Sequence, residues 1–470
     1  MVWAGQVTAH TTKYRSTEVR IPRDINLIWR DWATTRRLVR VILTLSQVAV
    51  TPQPFSGKIS EENAQDLQRA ANVITRIERR IGIKIAVFVA MILVVVSPAL
   101  ANPTYAQNAP TATLVARAVL PAESYADGPS CGAALAAQNK VINGIKLPFP
   151  SQPMGSFTAV VPGAYTGTWQ FLTSADNIAD CQMRVNLLTI DWRTNGSGGG
   201  AASPGEWWTL VDTKNLVPIV TAKNRILTGA DFSLVGLVRA PDGTFWAGDA
   251  HNSLLLHFAT SGTSATIQGK VQLANMPQGA LQGLGMSPDG KSFLVAAKAG
   301  NGLTIQLLQA PNGAPTGTSM TYPLDAPDDN VRGWVMINAT QALVVEQDSQ
   351  QNDPAQIKRV YLVDLSKATN GGSATKTLLA DLLNISDPGN LGTDPTFNAP
   401  AGASGLSNPF KFAYQDIGAI YPVDDHTLLL ANNNLFPVGT GRVPNKPADT
   451  ELIQIQVAPL PDLQLKFTQK

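Results

Sequence analysis

The 470-residue chain is 44% hydrophobic and only 15% charged, with 38 Gly and 32 Pro, a balance that allows a sizeable core but argues against long amphipathic helices and for an all-β class. Its net charge of +2 hides an asymmetry: residues 1–101 carry 14 Lys and Arg against 7 Asp and Glu, while the remainder is mildly acidic. No Lys/Arg block of the kind a phosphate backbone demands is present, which excludes nucleic acid as a partner.

Residues 1–80, including RDWATTRRLVRVILTLSQ, read as an N-terminal extension outside the folded body, with a short basic helix around Leu38–Ile42 if they are translated. Residues 81–101 then read as a signal peptide. Arg76, Arg79, Arg80 and Lys84 precede an apolar run from Ile85 to Val96, followed by Ala99-Leu100-Ala101. That run falls short of the roughly 20 residues that span a bilayer, and the small-residue exit predicts cleavage after Ala101. A buried core helix would not combine the basic flank with that exit. The upstream residues fit a start of translation near Val73, or a cytosolic extension ahead of an uncleaved anchor, which would be the chain's sole membrane contact. Either arrangement exports the body to the periplasm or the exterior.

Residues 102–113, rich in Pro, Asn, Thr and Ala, form a tether. The two cysteines, Cys131 in DGPSCGAA and Cys181 in IADCQMR, fit one disulfide in an exported chain, with two separate buried thiols as the competing arrangement. A bridge would close a loop of about 50 residues and contribute on the order of 3–4 kcal/mol. With no C-x-x-C and no adjacent His, these cysteines are not expected to hold a metal.

Residues 114–470 are expected to form one domain, a monomer. One design recurs five times: VVPGAYTGTWQFLTSADN from Val160, VRAPDGTFWAGDAHN from Val238, GMSPDGKSFLVAAKAGN from Gly285, VMINATQALVVEQDSQ from Val335 and IYPVDDHTLLLANNN from Ile420. Each is a strand, a tight turn, a second strand and a polar corner. In Pro241-Asp242-Gly243 and Pro288-Asp289-Gly290 proline presets φ and glycine takes the left-handed position of a short hairpin turn. A period of about 40–55 residues with four-strand content points to the blades of a β-propeller. Gaps of about 80 residues on either side leave room for unmarked units, so six or seven blades are expected. Two Gly-rich stretches, Thr194–Glu206 and Ser386–Pro409, read as loop insertions.

No G-x-S-x-G elbow, H-E-x-x-H, phosphate loop or dinucleotide fingerprint occurs. Among the histidines of the body, His257 reads as strand packing and His426 as a turn residue, whereas His251 sits in a polar corner as a candidate base or ligand. Oxygen-rich corners can hold Ca²⁺, which takes six to eight oxygen ligands. Asp176, Asp180, Asp231, Asp249, Glu346 and Asp348 are candidates by position, each weighed against an Asx turn or a solvated loop end.

From about Thr113 to Val457 the chain resembles exported bacterial proteins of the family with esterase-like activity of phytase. The matching stretches run in order: GPSCG and SQPMGSFTAVV; LTGADF, APDGTFWAGD and LLLHF; QGLGMSPDGKSF; LVVEQDSQ and KRVYLVDL; LLLANNNLFP and GRVPNKPADTEL. The resemblance implies a phytase-like propeller. It also marks substitutions. Where relatives read A-D-F-D-P-E this chain has ADFSLV, placing Ser233 and Val235 at acidic positions, and where they read G-D-E-F-G-P it has GDAHNS, with Ala250 for the glutamate. Gln282 replaces the acid of an E-G-L corner, Gly418 a further glutamate, and Asn433 the aspartate of N-D-N. Retained are Asp231, Asp249, Glu346, Asp348, Arg442, Asp449 and Glu451.

Two functions follow as expectations. One is hydrolysis of a small phosphate or carboxylate ester, with Asp231, Asp249, Glu346, Asp348 and His251 as catalytic residues and the four carboxylates holding Ca²⁺. Because Val235 and Ala250 cannot ligate a cation, that activity would be reduced. The other is a propeller without catalysis that binds a ligand or partner protein through Trp246, His251, Asn252 and Asn432–Asn434.

Overall fold

A computed structural model of the chain describes residues 112–174, 178–219, 221, 224–300, 302–367, 371–394 and 402–465. The N-terminal extension, the signal segment, nearly all of the tether and Asp176 lie outside the described residues.

The described chain is nearly all β. Strand β1 (Thr113–Leu120) is followed by β2 (Tyr125–Ala126), the short helix α1 (Ala133–Gln138), and β3 (Val141–Ile142), β4 (Ile145–Lys146) and β5 (Gln152–Pro153). Five antiparallel meanders come next. The first is β6 (Phe157–Pro162), β7 (Thr168–Thr173), β8 (Arg184–Asp191) and β9 (Ala201–Val211), and the second is β10 (Leu234–Arg239), β11 (Phe245–Asp249), β12 (Leu254–Ser261) and β13 (Ser264–Gln272). The third is β14 (Leu281–Met286), β15 (Ser292–Ala299), β16 (Gly302–Gln309) and β17 (Pro315–Tyr322). The fourth is β18 (Asn330–Met336), β19 (Gln341–Gln347) and β20 (Lys358–Asp364), then, past the two-residue β21 (Gly372–Ser373), β22 (Thr375–Asp381). The fifth is β23 (Ala419–Pro422), β24 (Thr427–Ala431) and β25 (Thr450–Gln456), with β1 as its fourth strand.

Each first strand neighbours the next: β6 lies beside β10, β10 beside β14, β14 beside β18, β18 beside β23, and β23 beside β6. The meanders are therefore blades around a closed ring, and the fold is a β-propeller. The five hairpins read from the sequence are the inner hairpins of these blades. The described residues hold five blades, against the expected six or seven, because the long intervals contain other structure. Between Val160 and Val238 lie the long strands β8 and β9 and their loops, and between Val335 and Ile420 the outer strands β20 and β22 and the excursion after Asp381.

Local chemistry explains the hairpins. In the second blade Gly243 adopts φ +86° and donates to the Ala240 carbonyl, while the Asp242 carboxylate accepts from the Thr244 N–H at 3.0 Å. The third blade repeats this with Gly290 at φ +72° and Asp289 accepting from the Lys291 N–H. Strands sandwiched between blades are buried on both faces, as in FWAGD of β11 and TWQFLT of β7, whereas outer strands such as β13 alternate.

The two cysteines form the disulfide Cys131–Cys181, so the arrangement with two separate thiols is set aside. The bridge places Asp180, next to Cys181, at the start of α1, where its carboxylate accepts from the Gly132 and Ala133 N–H groups at 2.9 Å each. Asp180 is thus a cap rather than a ligand.

Ring closure rests on β1 pairing antiparallel with β25, from Thr113 opposite Gln456 to Leu120 opposite Thr450. A buried ion cluster reinforces that seam. Glu451 on β25 accepts from Arg117 Nε on β1 at 2.6 Å, from Arg442 Nε at 2.6 Å and from the Tyr414 hydroxyl. Burial alone would raise the Glu451 carboxyl, but Arg117 and Arg442 hold it at about 2. A carboxylate whose folded pKa lies below its unfolded value, 4.5, stabilises fully above that value and loses the contribution as pH falls toward about 2. Glu451→Gln, which leaves two guanidinium groups without their counter-charge, is expected to cost about 3 kcal/mol at pH 7 in urea titrations, with the difference from the parent shrinking between pH 4.5 and 2.

Candidate functional site at the mouth of the ring

The inner strands share one irregularity. Near the start of β6, β10, β14 and β18 the register with the second strand slips, at Thr158, Gly236, Gln282 and Gly333-Trp334 respectively. Such β-bulges bend a strand and re-aim side chains. Gly236 at φ +71° and Gly333 at φ +63° take the left-handed conformation these bends need, and a side chain on either would strike the neighbouring inner strand, at Leu284 and Ile420.

All four bulges line one cavity of about 520 Å³ at the end of the ring where the inner strands begin. Every blade contributes: Thr158 from the first, Ser233 and His251 from the second, Gln282 from the third, Arg332 and Trp334 from the fourth, Asp416 and Asn433 from the fifth. Arg332 donates from an Nη to the Gln282 side-chain oxygen at 2.6 Å, and its Nε lies 3.7 Å from Asp416. Asp416 is held in turn by the Gln347 amide at 2.7 Å and the Asn433 amide at 2.9 Å.

The residues singled out in the sequence divide into two groups. His251 is exposed at the cavity wall. The carboxylates do other work. Asp249, fully buried, accepts from the N–H groups of Ser233, His251 and Asn252 and from the Asn252 amide. Burial raises its carboxyl in spite of those donors. Asp231 accepts from the Thr221 hydroxyl at 2.6 Å and its N–H at 3.2 Å. Glu346 is fully buried and accepts from the Tyr322 hydroxyl, the Asp325 N–H and the Lys376 ammonium. Asp348 closes a turn, accepting from the N–H groups of Gln350, Gln356 and Ile357, and pairs with buried Lys358 at 3.1 Å. Asp249 and Glu346 do lie at the same end of the ring, since each sits at the close of its blade's second strand.

These four carboxylates do not assemble into a calcium-ligand set: among the described residues no three His, Cys, Asp or Glu side chains group as a metal ion requires. The positions where the family resemblance marks lost acids behave differently. Ser233, Val235, Ala250, Gln282 and Asn433 all line the cavity. Gly418 does not, and a Cβ there would lie 2.1 Å from the Phe157 carbonyl; the carboxylate of this corner is Asp416, two residues earlier.

Of the contacts expected for a binding propeller, Asn433 and His251 reach the cavity. Trp246 instead packs edge-on to Phe293 and stacks on His257, whose ring nitrogen meets the Thr244 hydroxyl at 2.9 Å. Asn252 bonds Asp249 and the Asp231 carbonyl, while Asn432 and Asn434 are buried in backbone contacts. Sequence reasoning missed Arg332, Asp416 and Trp334. Arg332 lies inside an otherwise ordinary strand, VMINATQ's predecessor NVRGW, where only the adjacent glycine hints at a bulge.

Asp329, just before β18, was also missed. Burial pushes its carboxyl up to about 6, with Glu346, Asp325 and Asp348 adding to the effect against one N–H from Ala326. An acid whose folded pKa is raised costs stability once the fold must carry its charge, so the penalty grows as pH rises through about 6. Asp329→Asn is expected to stabilise the protein on the order of 1 kcal/mol at pH 8 and not at all below its unfolded pKa, read from denaturation at both pH values. Asp249→Ala, which strands three backbone N–H groups in a buried corner, is expected to cost about 3 kcal/mol by the same measurement.

The profile of the family described as "Phytase-like: Esterase-like activity of phytase" matches residues 152–408. None of the curated proteins matches the sequence. Solved structures similar to this one include a GH43 β-1,3-galactosidase, at 9% identity and TM-score 0.37, with 73% of this chain and 60% of that chain covered. Another is virginiamycin B lyase from Staphylococcus aureus, at 12% identity and TM-score 0.32, with 64% and 94% covered. A third is described as a 6-phosphogluconolactonase of Bacteroides uniformis, at 11% identity and TM-score 0.32, with 67% and 88% covered. With more than half of its residues matched by that profile, the chain belongs to the phytase-like, esterase-like family.

Proposed function

We propose that the cavity at the ring mouth binds a small polar ester and that the protein hydrolyses it, as an exported member of its family. The observation that carries the reading is convergence: five blades, and five of the six positions marked by the family resemblance, meet in one polar cavity with His251 on its wall. Ester hydrolysis needs a base within reach of water or a hydroxyl. The second blade supplies a fixed platform for one. A single oxygen of Asp249 accepts from the backbones of both Ser233 and His251, and the Ala250 N–H donates to the Ser233 carbonyl at 2.8 Å. These bonds hold the two corners together and keep both residues at one wall. In this reading His251 takes the proton from the attacking water, and Asp249 is a positioning residue. Phosphate and carboxylate esters both remain within the proposed substrate class. Export is part of the proposal and is supported by the disulfide, a bond that persists in oxidising compartments.

A second reading, a binding propeller without catalysis, is favoured by one feature. The cavity's carboxylate, Asp416, already accepts from two amides and faces Arg332, which leaves it poorly placed to act as a base. Turnover of p-nitrophenyl phosphate and p-nitrophenyl acetate by the purified chain separates the two. Hydrolysis predicts that His251→Ala lowers kcat at least about 100-fold with an unchanged melting temperature. No turnover of either ester by the parent protein leaves the binding reading.

A further inference from the structure

We infer that the cavity recognises an oxyanion, a phosphate or carboxylate group, directly through the guanidinium of Arg332, with no bridging cation. The inference rests on the cavity being the ligand site and adds the chemical group that it selects.

Two observations support it. First, Arg332 is the one Lys or Arg among the described residues lining the cavity, and its side chain is 27% exposed, so the guanidinium is neither buried in the core nor free in solvent. Second, the group is held from two sides and left unsaturated. One N–H bonds Gln282, and Asp416 stands at 3.7 Å, beyond hydrogen-bond range. A guanidinium carries five N–H donors in a fixed fork, and those not engaged match the paired oxygens of a carboxylate or phosphate. Asp416 pairs with the guanidinium by charge at 3.7 Å but takes no hydrogen bond from it, its carboxylate being held by the amides of Gln347 and Asn433. The Trp334 indole N–H, on the bulge next to Arg332, also lacks a hydrogen bond, but it is enclosed against Gly283 and does not face the ligand space.

Charge supports the same conclusion. Apart from Asp416 and His251, the other polar side chains facing the cavity, among them Thr158, Ser233, Gln278, Gln282 and Asn433, are neutral. A cation would therefore find Asp416 as its single carboxylate, already bonded, beside an arginine that repels it. An anion finds one oriented guanidinium and several neutral donors, with Asp416 paired to the guanidinium at 3.7 Å. Gln282 acts as a positioning residue: on a bulge of the third blade, it fixes an arginine that belongs to the fourth.

Calorimetric titration of the full chain with inorganic phosphate, and separately with acetate, tests the inference in the presence of chelator and of calcium. Binding of at least one anion, unchanged by chelator, is expected. Arg332→Met should weaken it by about tenfold or more, in line with loss of a charge-assisted hydrogen-bond pair. Gln282→Glu, which sets a carboxylate against the guanidinium while preserving size, should weaken it comparably, and Arg332→Lys should recover only part of the affinity. Whichever anion binds more tightly identifies the head group. No anion binding by the parent protein, binding that requires calcium, or undiminished binding by a folded Arg332→Met protein overturns the inference. If phosphate binds in this manner but no ester is turned over, the hydrolase reading fails and the oxyanion site stands. If esters are hydrolysed equally well without Arg332, the reverse holds.

Discussion

The structure depends on closing its ring, and closure falls to the contact between the first and last strands of the body. β1 is the outer strand of the fifth blade, so the first and last described strands lie in one sheet and every other blade is held between them. Backbone pairing alone would leave that seam as two edges met by chance of register. The Glu451 cluster makes it specific, since Arg117 comes from β1, Arg442 from the loop before β25 and Tyr414 from the excursion that precedes β23. A buried carboxylate is tolerated there because two guanidinium groups and a hydroxyl satisfy it, and removing any partner leaves an uncompensated charge in the core. Arg117 also reaches the carbonyls of Leu391 and Gly392, which ties the long insertion to the same seam.

Closure in turn creates the mouth. Inner strands packed side by side would present only backbone and small residues to a narrow bore, but four bulges turn residues at their entrances toward the axis. Glycine at 236 and 333 lets the backbones of adjacent blades approach where these bends occur. The cavity is therefore a product of ring geometry and strand irregularity together, and contacts such as Arg332 to Gln282 cross from one blade to the next.

The carboxylates of the polar corners serve this architecture. Asp249, Asp348 and Asp242 gather backbone N–H groups at the ends of strands in Asx-type fashion. Glu346 instead sits in a charged core of the fourth blade, with Lys376 lying over the rings of Tyr322 and Tyr361. What the site needs from these acids is placement: Asp249 fixes the Ser233 and His251 corners, and Asp416, held by Gln347 and Asn433, stands behind Arg332.

The sequence by itself determined the all-β class, the five inner hairpins, the family and the polar corner that holds His251, because turn chemistry and strand alternation act over a few residues and leave a local signature. It also marked Ser233, Val235, Ala250, Gln282 and Asn433 as positions that matter, through their departure from a family pattern. Blade number is not legible in the sequence, because spacing along a chain does not distinguish an unmarked blade from an insertion, and only strand pairing does. Whether each acid faces a ligand or its own backbone was likewise decided by tertiary structure, since an Asp in a corner has the same sequence signature in both cases. The pairing of Arg332 with Gln282, 50 residues away on another blade, belongs wholly to the closed ring, which brings together side chains that no local rule connects.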